Sequence, residues 1–357
     1  MKLSKRMLAF LLAFAMVLVN APTPLHVVRA VNADGYIEIR TVEELYAVRD
    51  DLSANYILME DIDLTEATAK GGDWDFFGNG WNPIGSKDIY SNDPFTGTFD
   101  GNGHTIRGMR IDVTSRPSGT GDVYLGLFAN VSGTVRDLTM VDAKIYLNDA
   151  GTCYIGSVAG RCSGTIEDCH SFLSISNTKN SNSNTRYIGG LVGYCFDGSI
   201  SRSSNHGTID AACDRLGGIA GNSTDKAKIT QCYNAGSLKN SSFSHGISGG
   251  GQIIDCYNTA TVEGYHTYGI GGTATRCYNR GNTIANSSRY AVSSDTSTGC
   301  FYLSGTGGSN TGSTSLTEAQ MKLQGMYPGF DFETVWVIDT NANYPYPQLR
   351  SNARPTH

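Results

Sequence analysis

Charge is scarce in this chain. Only 17% of its 357 residues are Asp, Glu, Lys or Arg, too few to coat long solvated helices, so a helical bundle is a poor expectation. There is no H-E-x-x-H, no C-x-x-C, and no two of the seven histidines stand at helix or strand spacing, which removes the common zinc-peptidase and zinc-ribbon arrangements. No metal or cofactor is expected. Long apolar runs are also lacking. The run from Met7 to Val19 is short for a membrane span, and with Lys2, Lys5 and Arg6 before it the segment reads as a secretory signal. Pro22 disfavours cleavage after Ala21, so the expected processing sites are Ala30 and Ala33. Removing residues 1–33 takes four basic residues, Lys2, Lys5, Arg6 and Arg29, and no acidic one, from a chain whose net charge is already −6. Neither nucleic acid nor an anionic membrane is an expected partner of so acidic a mature chain, and no membrane insertion is expected after cleavage.

Glycine is abundant, at 43 residues, and it recurs in phase with a short phrase. Ile229-Thr230-Gln231-Cys232-Tyr233-Asn234 returns as Ile253-Ile254-Asp255-Cys256-Tyr257-Asn258 and as Ala274-Thr275-Arg276-Cys277-Tyr278-Asn279, with a degenerate copy at Cys300-Phe301-Tyr302. Upstream of each phrase lies a glycine-rich partner, such as Tyr187-Ile188-Gly189-Gly190-Leu191-Val192-Gly193 or Arg215-Leu216-Gly217-Gly218-Ile219-Ala220-Gly221; earlier copies start at Tyr124 and Tyr154. A strand phrase repeating every 20 to 30 residues or so is the signature of a solenoid, in which each unit buries its apolar face against the next. Ile and Cys of the phrase are three residues apart, so both face inward only if the strand bends between them. The glycine pairs and the Asn after Cys-Tyr are the expected positive-φ corner residues. Leu138 and Ser203 stand where other copies have Cys, which marks a packing position rather than a metal or catalytic one.

These phrases, with Pro94-Phe95-Thr96-Gly97-Thr98-Phe99-Asp100-Gly101-Asn102-Gly103-His104-Thr105-Ile106 ahead of them, resemble the GLUG repeat of bacterial surface proteins, also found beside the catalytic region of immunoglobulin A metallopeptidases. The resemblance spans roughly residues 34–350. It implies an all-β chain folded as a right-handed parallel β-helix on a secreted protein, with no activity proper to the repeat. The expected layout is a signal peptide over 1–33, an N-terminal α/β cap with first strands over 34–122, the solenoid over 123–305, a short C-terminal cap over 306–350 and a tail over 351–357. Thr41-Val42-Glu43-Glu44 is a capping box that starts a helix through about Leu52, and Thr317-Glu318-Ala319-Gln320 starts another. Trp74, Trp81 and Trp336 all lie outside the repeats, where large aromatics are expected to cover the terminal rungs.

Candidate chemistry is thin. Gly246-Ile247-Ser248-Gly249-Gly250 matches G-x-S-x-G, but no helical pattern follows Ser248 as a nucleophile elbow requires. Ser244-His245-Gly246-Ile247-Ser248 has a superficial likeness to polygalacturonases, without the rest of their aspartate constellation. Asp137 and Asp168 occupy equivalent positions on neighbouring copies and could form a glycosidase pair, yet Gln231 and Arg276 replace them elsewhere, which favours a solvated face. Inward cysteines at 169, 232, 256, 277 and 300 are expected to form a reduced buried ladder. Cys162 and Cys195, each two residues past its rung's last glycine, are the candidate disulfide.

Tyr233, Tyr257 and Tyr278 follow the ladder cysteines and should point the other way, forming an outward aromatic stripe. They are the expected ligand-binding residues, against the plainer account that they only pack rung on rung. The polar run Asn177 to Thr185 is the next candidate. The expected function is non-catalytic binding of an extracellular glycan or surface protein by a secreted or cell-surface, adhesion-type solenoid. A β-helix carbohydrate-active enzyme and a structural spacer are the alternatives.

Overall fold

The computed structural model describes residues 31–86, 93–114, 122–146, 152–177, 186–294, 296–308 and 312–351. The chain is a parallel β-solenoid. One rung shows how the sequence builds it: Phe128–Val131 lies on one sheet, Thr134–Arg136 on a second, and Thr139–Tyr146 on a third, after which Cys153–Ile155 returns along that same third sheet before Ala159–Cys162 begins the next turn. Like residues stack on like. Val135, Ile166, Ile200, Ile229, Ile253 and Ala274 are laterally paired in order, and all are fully buried. At about 25 cal/mol per Å² of apolar surface, this continuous column does the work a separate core does in a globular domain.

The corner before the Cys position is tight, and its backbone differs from the sequence expectation. Asp137, Asp168, Arg202, Gln231, Asp255 and Arg276 hold φ between 47° and 53°. Asn234, Asn258 and Asn279 do not. These asparagines are buried, each side chain closes a turn on the residue two ahead, and a ladder links the rungs: Asn205 donates to Asn234 at 2.8 Å, Asn234 to Asn258 at 2.8 Å, and Asn258 to Asn279 at 2.9 Å. The pairs Gly189-Gly190 and Gly217-Gly218 keep negative φ too. A Cβ on Gly218 would lie 2.2 Å from the Gly246 carbonyl oxygen and 2.5 Å from the Asn234 side chain. Close approach to the asparagine ladder selects that glycine.

The cysteines face inward, as their spacing predicts. The backbone N–H of Cys232, Cys256 and Cys277 each points at the sulfur of the next rung's cysteine, at 3.3, 3.4 and 3.4 Å. Ser203 does the same for Cys169 through its hydroxyl at 3.0 Å, which explains why Ser substitutes there. All nine cysteines are buried free thiols. Burial raises the thiol pKa of Cys169, Cys213 and Cys256, so these groups stay neutral. Cys162 and Cys195 are direct lateral partners; they stand together as two thiols, not as the candidate disulfide.

Parallel pairing starts well before residue 123: Ile37–Ile39 pairs with Tyr56–Leu58, which pairs with Thr98–Asp100 and then Thr134–Arg136. The capping box at Thr41 and Glu44 is present, opening the helix Val42–Tyr46 that continues as a 3-10 turn to Asp50. Trp81 is buried at this end and donates to the Leu127 carbonyl at 3.1 Å. At the other end Ser313–Leu316 pairs with Cys300–Leu303 as a last rung. The segment from 317 to 351 follows it. It runs back along one flank, where Trp336–Val337 and Gln348–Leu349 form the only antiparallel pair among the described strands, and Ser351 comes within 3.5 Å of Gln231. The expected leader up to residue 30, the polar run from 178 to 185 and the tail from 352 lie outside the described residues.

Candidate functional site

Tyr233, Tyr257 and Tyr278 stack as the sequence predicts, with ring centroids 4.8 and 5.1 Å apart and planes within 3°. They point away from the cysteine core. They are nonetheless fully buried, because the returning C-terminal segment lies over them. Leu316, Met321, Tyr327, Phe330, Trp336, Tyr346 and Leu349 form a second apolar cluster with these rings and Phe301. The Trp336 ring centre is 6.0 Å from that of Tyr257 and 5.9 Å from that of Tyr278, and its N–H donates to Asp255 at 3.3 Å. The Tyr278 hydroxyl donates to the Pro347 carbonyl at 2.5 Å, and burial raises its pKa. The expected ligand-binding stripe is therefore corrected: the rings exist, but the protein's own chain occupies them.

A different column is only half-buried. Tyr124, Tyr154, Tyr187, Arg215, Phe243 and His266 are lateral partners in that order. All six are half-buried, and Tyr124, Tyr154 and Tyr187 each lie between buried neighbours, Val123 and Leu125, Cys153 and Ile155, and Arg186 and Ile188, so strand alternation turns these three outward. Tyr124 and Tyr154 stack at 5.0 Å. At the next corner Tyr194 joins, 5.8 Å from Tyr154 and 5.6 Å from Tyr187, and beyond it Phe196 is 39% exposed with the Arg161 guanidinium 4.6 Å above its ring. Burial, with Asp122 and Tyr124 nearby, pushes the Tyr154 hydroxyl up to about 12, so it remains a neutral donor. Farther along, Phe243 stacks on His266 at 4.8 Å, and Tyr265 meets His266 edge-on. The signal for this column was the recurring Tyr-[Leu/Ile]-Gly at 124, 154 and 187.

Asp168 is held by Arg202, whose Nε lies 3.0 Å from both carboxylate oxygens. Asp137 has its pKa raised by burial and by the charges of Asp168 and Asp100, but neither Asp137 nor Asp168 lines the grooves at Arg49, Lys226 or Tyr265. Ser248 is fully buried, its hydroxyl 2.8 Å from that of Ser223. His245 is buried against Tyr268, with its ring nitrogen on the Leu216 carbonyl, and burial together with Arg215 lowers its pKa to about 3. Among the described residues no three His, Cys, Asp or Glu side chains are grouped to hold a metal.

No family model matches the chain. It is 30% identical over 167 residues to halomucin of Haloquadratum walsbyi, covering 45% of this chain and 2% of that protein. It is 32% identical over 134 residues to a "Putative Gly-rich membrane protein" of Evansella cellulosilytica, covering 36% of this chain and 14% of that one. The chain thus spans a small fraction of either relative. Among solved structures it is similar to a "putative immunoglobulin A1 protease" of Bacteroides ovatus, with a TM-score of 0.52 and 15% identity over 90% of this chain and 94% of that one. At that identity the likeness speaks to the fold.

Proposed function

We propose that this protein is a non-catalytic, extracellular or surface-associated solenoid that binds an extracellular glycan or protein through its uncovered aromatic column. The observation that carries the reading is the run of outward side chains Tyr124, Tyr154, Tyr187, Arg215, Phe243 and His266, one per rung, with Tyr194, Phe196 and Arg161 at its side. Half-exposed Tyr, Phe and Arg have large contact area and few rotamers to freeze, the properties that mark binding surfaces. Two relatives, one named halomucin and one named a membrane protein, support a site of action outside the cytoplasm, as does the apolar, basic-flanked N-terminus. The GLUG resemblance of the repeats points the same way.

The test is a pull-down of the full chain with cells and extracellular polysaccharide, comparing wild type with Tyr154→Ser/Phe196→Ser. A folded double variant should lose binding by about tenfold or more. Undiminished binding removes this column from the reading.

A further inference from the structure

The uncovered column runs into a notch cut by changes in rung length. Leu238 pairs with Val262 but Ser241 pairs with Gly264, so one rung is a residue shorter than the one before it. The next rung regains the residue: Gly264 pairs with Ala285 whereas Thr267 pairs with Arg289. The result is an open groove of about 200 Å³ lined by Asn240, Ser241, Glu263, Tyr265, Ile284 and Asn286. Its floor is Gly264, where a Cβ would lie 2.7 Å from the Ser244 hydroxyl. The floor hydroxyls are already satisfied, since Ser244 donates to the Glu263 carbonyl at 2.8 Å and bonds to Ser241.

The geometry points to a binding subsite for one neutral sugar unit of a polysaccharide, seated on Tyr265 in this notch; it rests on the extracellular-binding reading and gives that reading a ligand class. Tyr265 is 54% exposed, and it touches His266 edge-on at 89°, so no parallel ring among the described aromatic pairs occupies its faces. An amphipathic ring beside polar side chains is the surface that the apolar face of a pyranose and its hydroxyls require together. Glu263 and Asn286 supply an acceptor and an amide, and neither side chain has a hydrogen-bond or ion-pair partner among the described residues. The Asn240 amide is anchored on Asp210. The Glu263 carboxylate in the lining disfavours an acidic sugar. An apolar peptide anchor is a poorer occupant of a notch whose side chains are mostly amides, a hydroxyl and a carboxylate.

The experiment is saturation-transfer NMR and calorimetric titration of the full chain with neutral trisaccharides (cellotriose, maltotriose, mannotriose, laminaritriose) and with trigalacturonate as the acidic control. At least one neutral trisaccharide should bind and trigalacturonate should not. Tyr265→Ala should weaken binding by about tenfold, and Glu263→Gln and Asn286→Ala each several-fold, with thermal melting unchanged because these side chains are at the surface. Tyr154→Ser should leave trisaccharide binding intact. No neutral binding by wild type, a preference for trigalacturonate, or undiminished binding by Tyr265→Ala overturns the subsite. If the subsite fails while cell or polysaccharide capture persists and falls in Tyr154→Ser/Phe196→Ser, the wider binding reading survives alone; loss of both overturns both.

Discussion

Two aromatic columns run along this solenoid, and they differ in what covers them. Tyr233, Tyr257 and Tyr278 stack within a few degrees of parallel and lie under Trp336 and its neighbours. Tyr124, Tyr154 and Tyr187 start in the same way, then splay at the corner where Tyr194 enters. The repeat generates ladders on more than one face because the same residue type often recurs at laterally paired positions. Which ladder becomes structure and which stays surface is decided outside the repeat, by the path of residues 313–351. A tyrosine stripe read from a repeat phrase is thus ambiguous until the flanking segment is placed.

The largest effect expected from breaking this contrast is at Trp336. Replacing it with alanine empties the centre of the lateral cluster, and a fully buried Trp→Ala change costs about 3–5 kcal/mol. Chemical denaturation should show that loss, and iodide quenching of tyrosine fluorescence should rise as Tyr257 and Tyr278 become reachable. A stability within about 1 kcal/mol of wild type would mean that the C-terminal segment is only loosely seated. Next comes the ladder beneath the covered column. Asn258→Ala leaves the Asn234 amide and the Asn279 carbonyl without their side-chain partners, for a loss of about 2–3 kcal/mol. Asn258→Asp should not rescue it, because a buried carboxylate adds a charge where an amide donor is needed.

The same sheet has its own pH signature, through buried His245 stacked on Tyr268. His245 titrates near 6.5 in an unfolded chain and near about 3 when folded. Between those values the unfolded chain holds a proton that the folded chain does not. Stability should therefore fall as pH drops below about 6.5, by roughly 1.4 kcal/mol per unit and so about 2 kcal/mol at pH 5. His245→Gln should flatten that slope in denaturation curves at pH 7 and pH 5. Asp137, raised by burial and neighbouring carboxylates, contributes with the opposite sign, but it is present in both proteins and drops out of the comparison. Equal slopes would show that His245 is not the group responsible.

The sequence made the rungs legible because apolar, cysteine and glycine positions repeat at one spacing, and burial of Ile229, Ile253 and Cys256 follows directly. The corner was harder. Its positive-φ residue is Asp, Arg or Gln in different copies, so no residue type marks it, and the obvious Asn beside it serves a hydrogen-bonded ladder instead. The C-terminal overlay was illegible for another reason: Trp336, Phe330 and Tyr346 have no period, and nothing local says which face they seek. The half-exposed column was written in the chain as Tyr124, Tyr154 and Tyr187, but the strict Cys-Tyr-Asn phrase drew attention to tyrosines that the C-terminal segment covers.

The smallest stability effect is also the sharpest test of the contrast. Tyr154 and Tyr257 are both ladder tyrosines with a ring neighbour on each side. Tyr257→Ser should be destabilising by about 3 kcal/mol, since the ring is fully enclosed. Tyr154→Ser removes a ring that is half in water and whose column partners can close over the gap, so its cost should be under about 1 kcal/mol. If a ladder tyrosine is worth the same wherever it sits, the two losses will match, and the covering segment contributes nothing. If cover is what matters, the losses will differ at least twofold, while capture of extracellular material responds in the opposite order: weakened in the stable Tyr154→Ser protein, unchanged in whatever fraction of Tyr257→Ser remains folded.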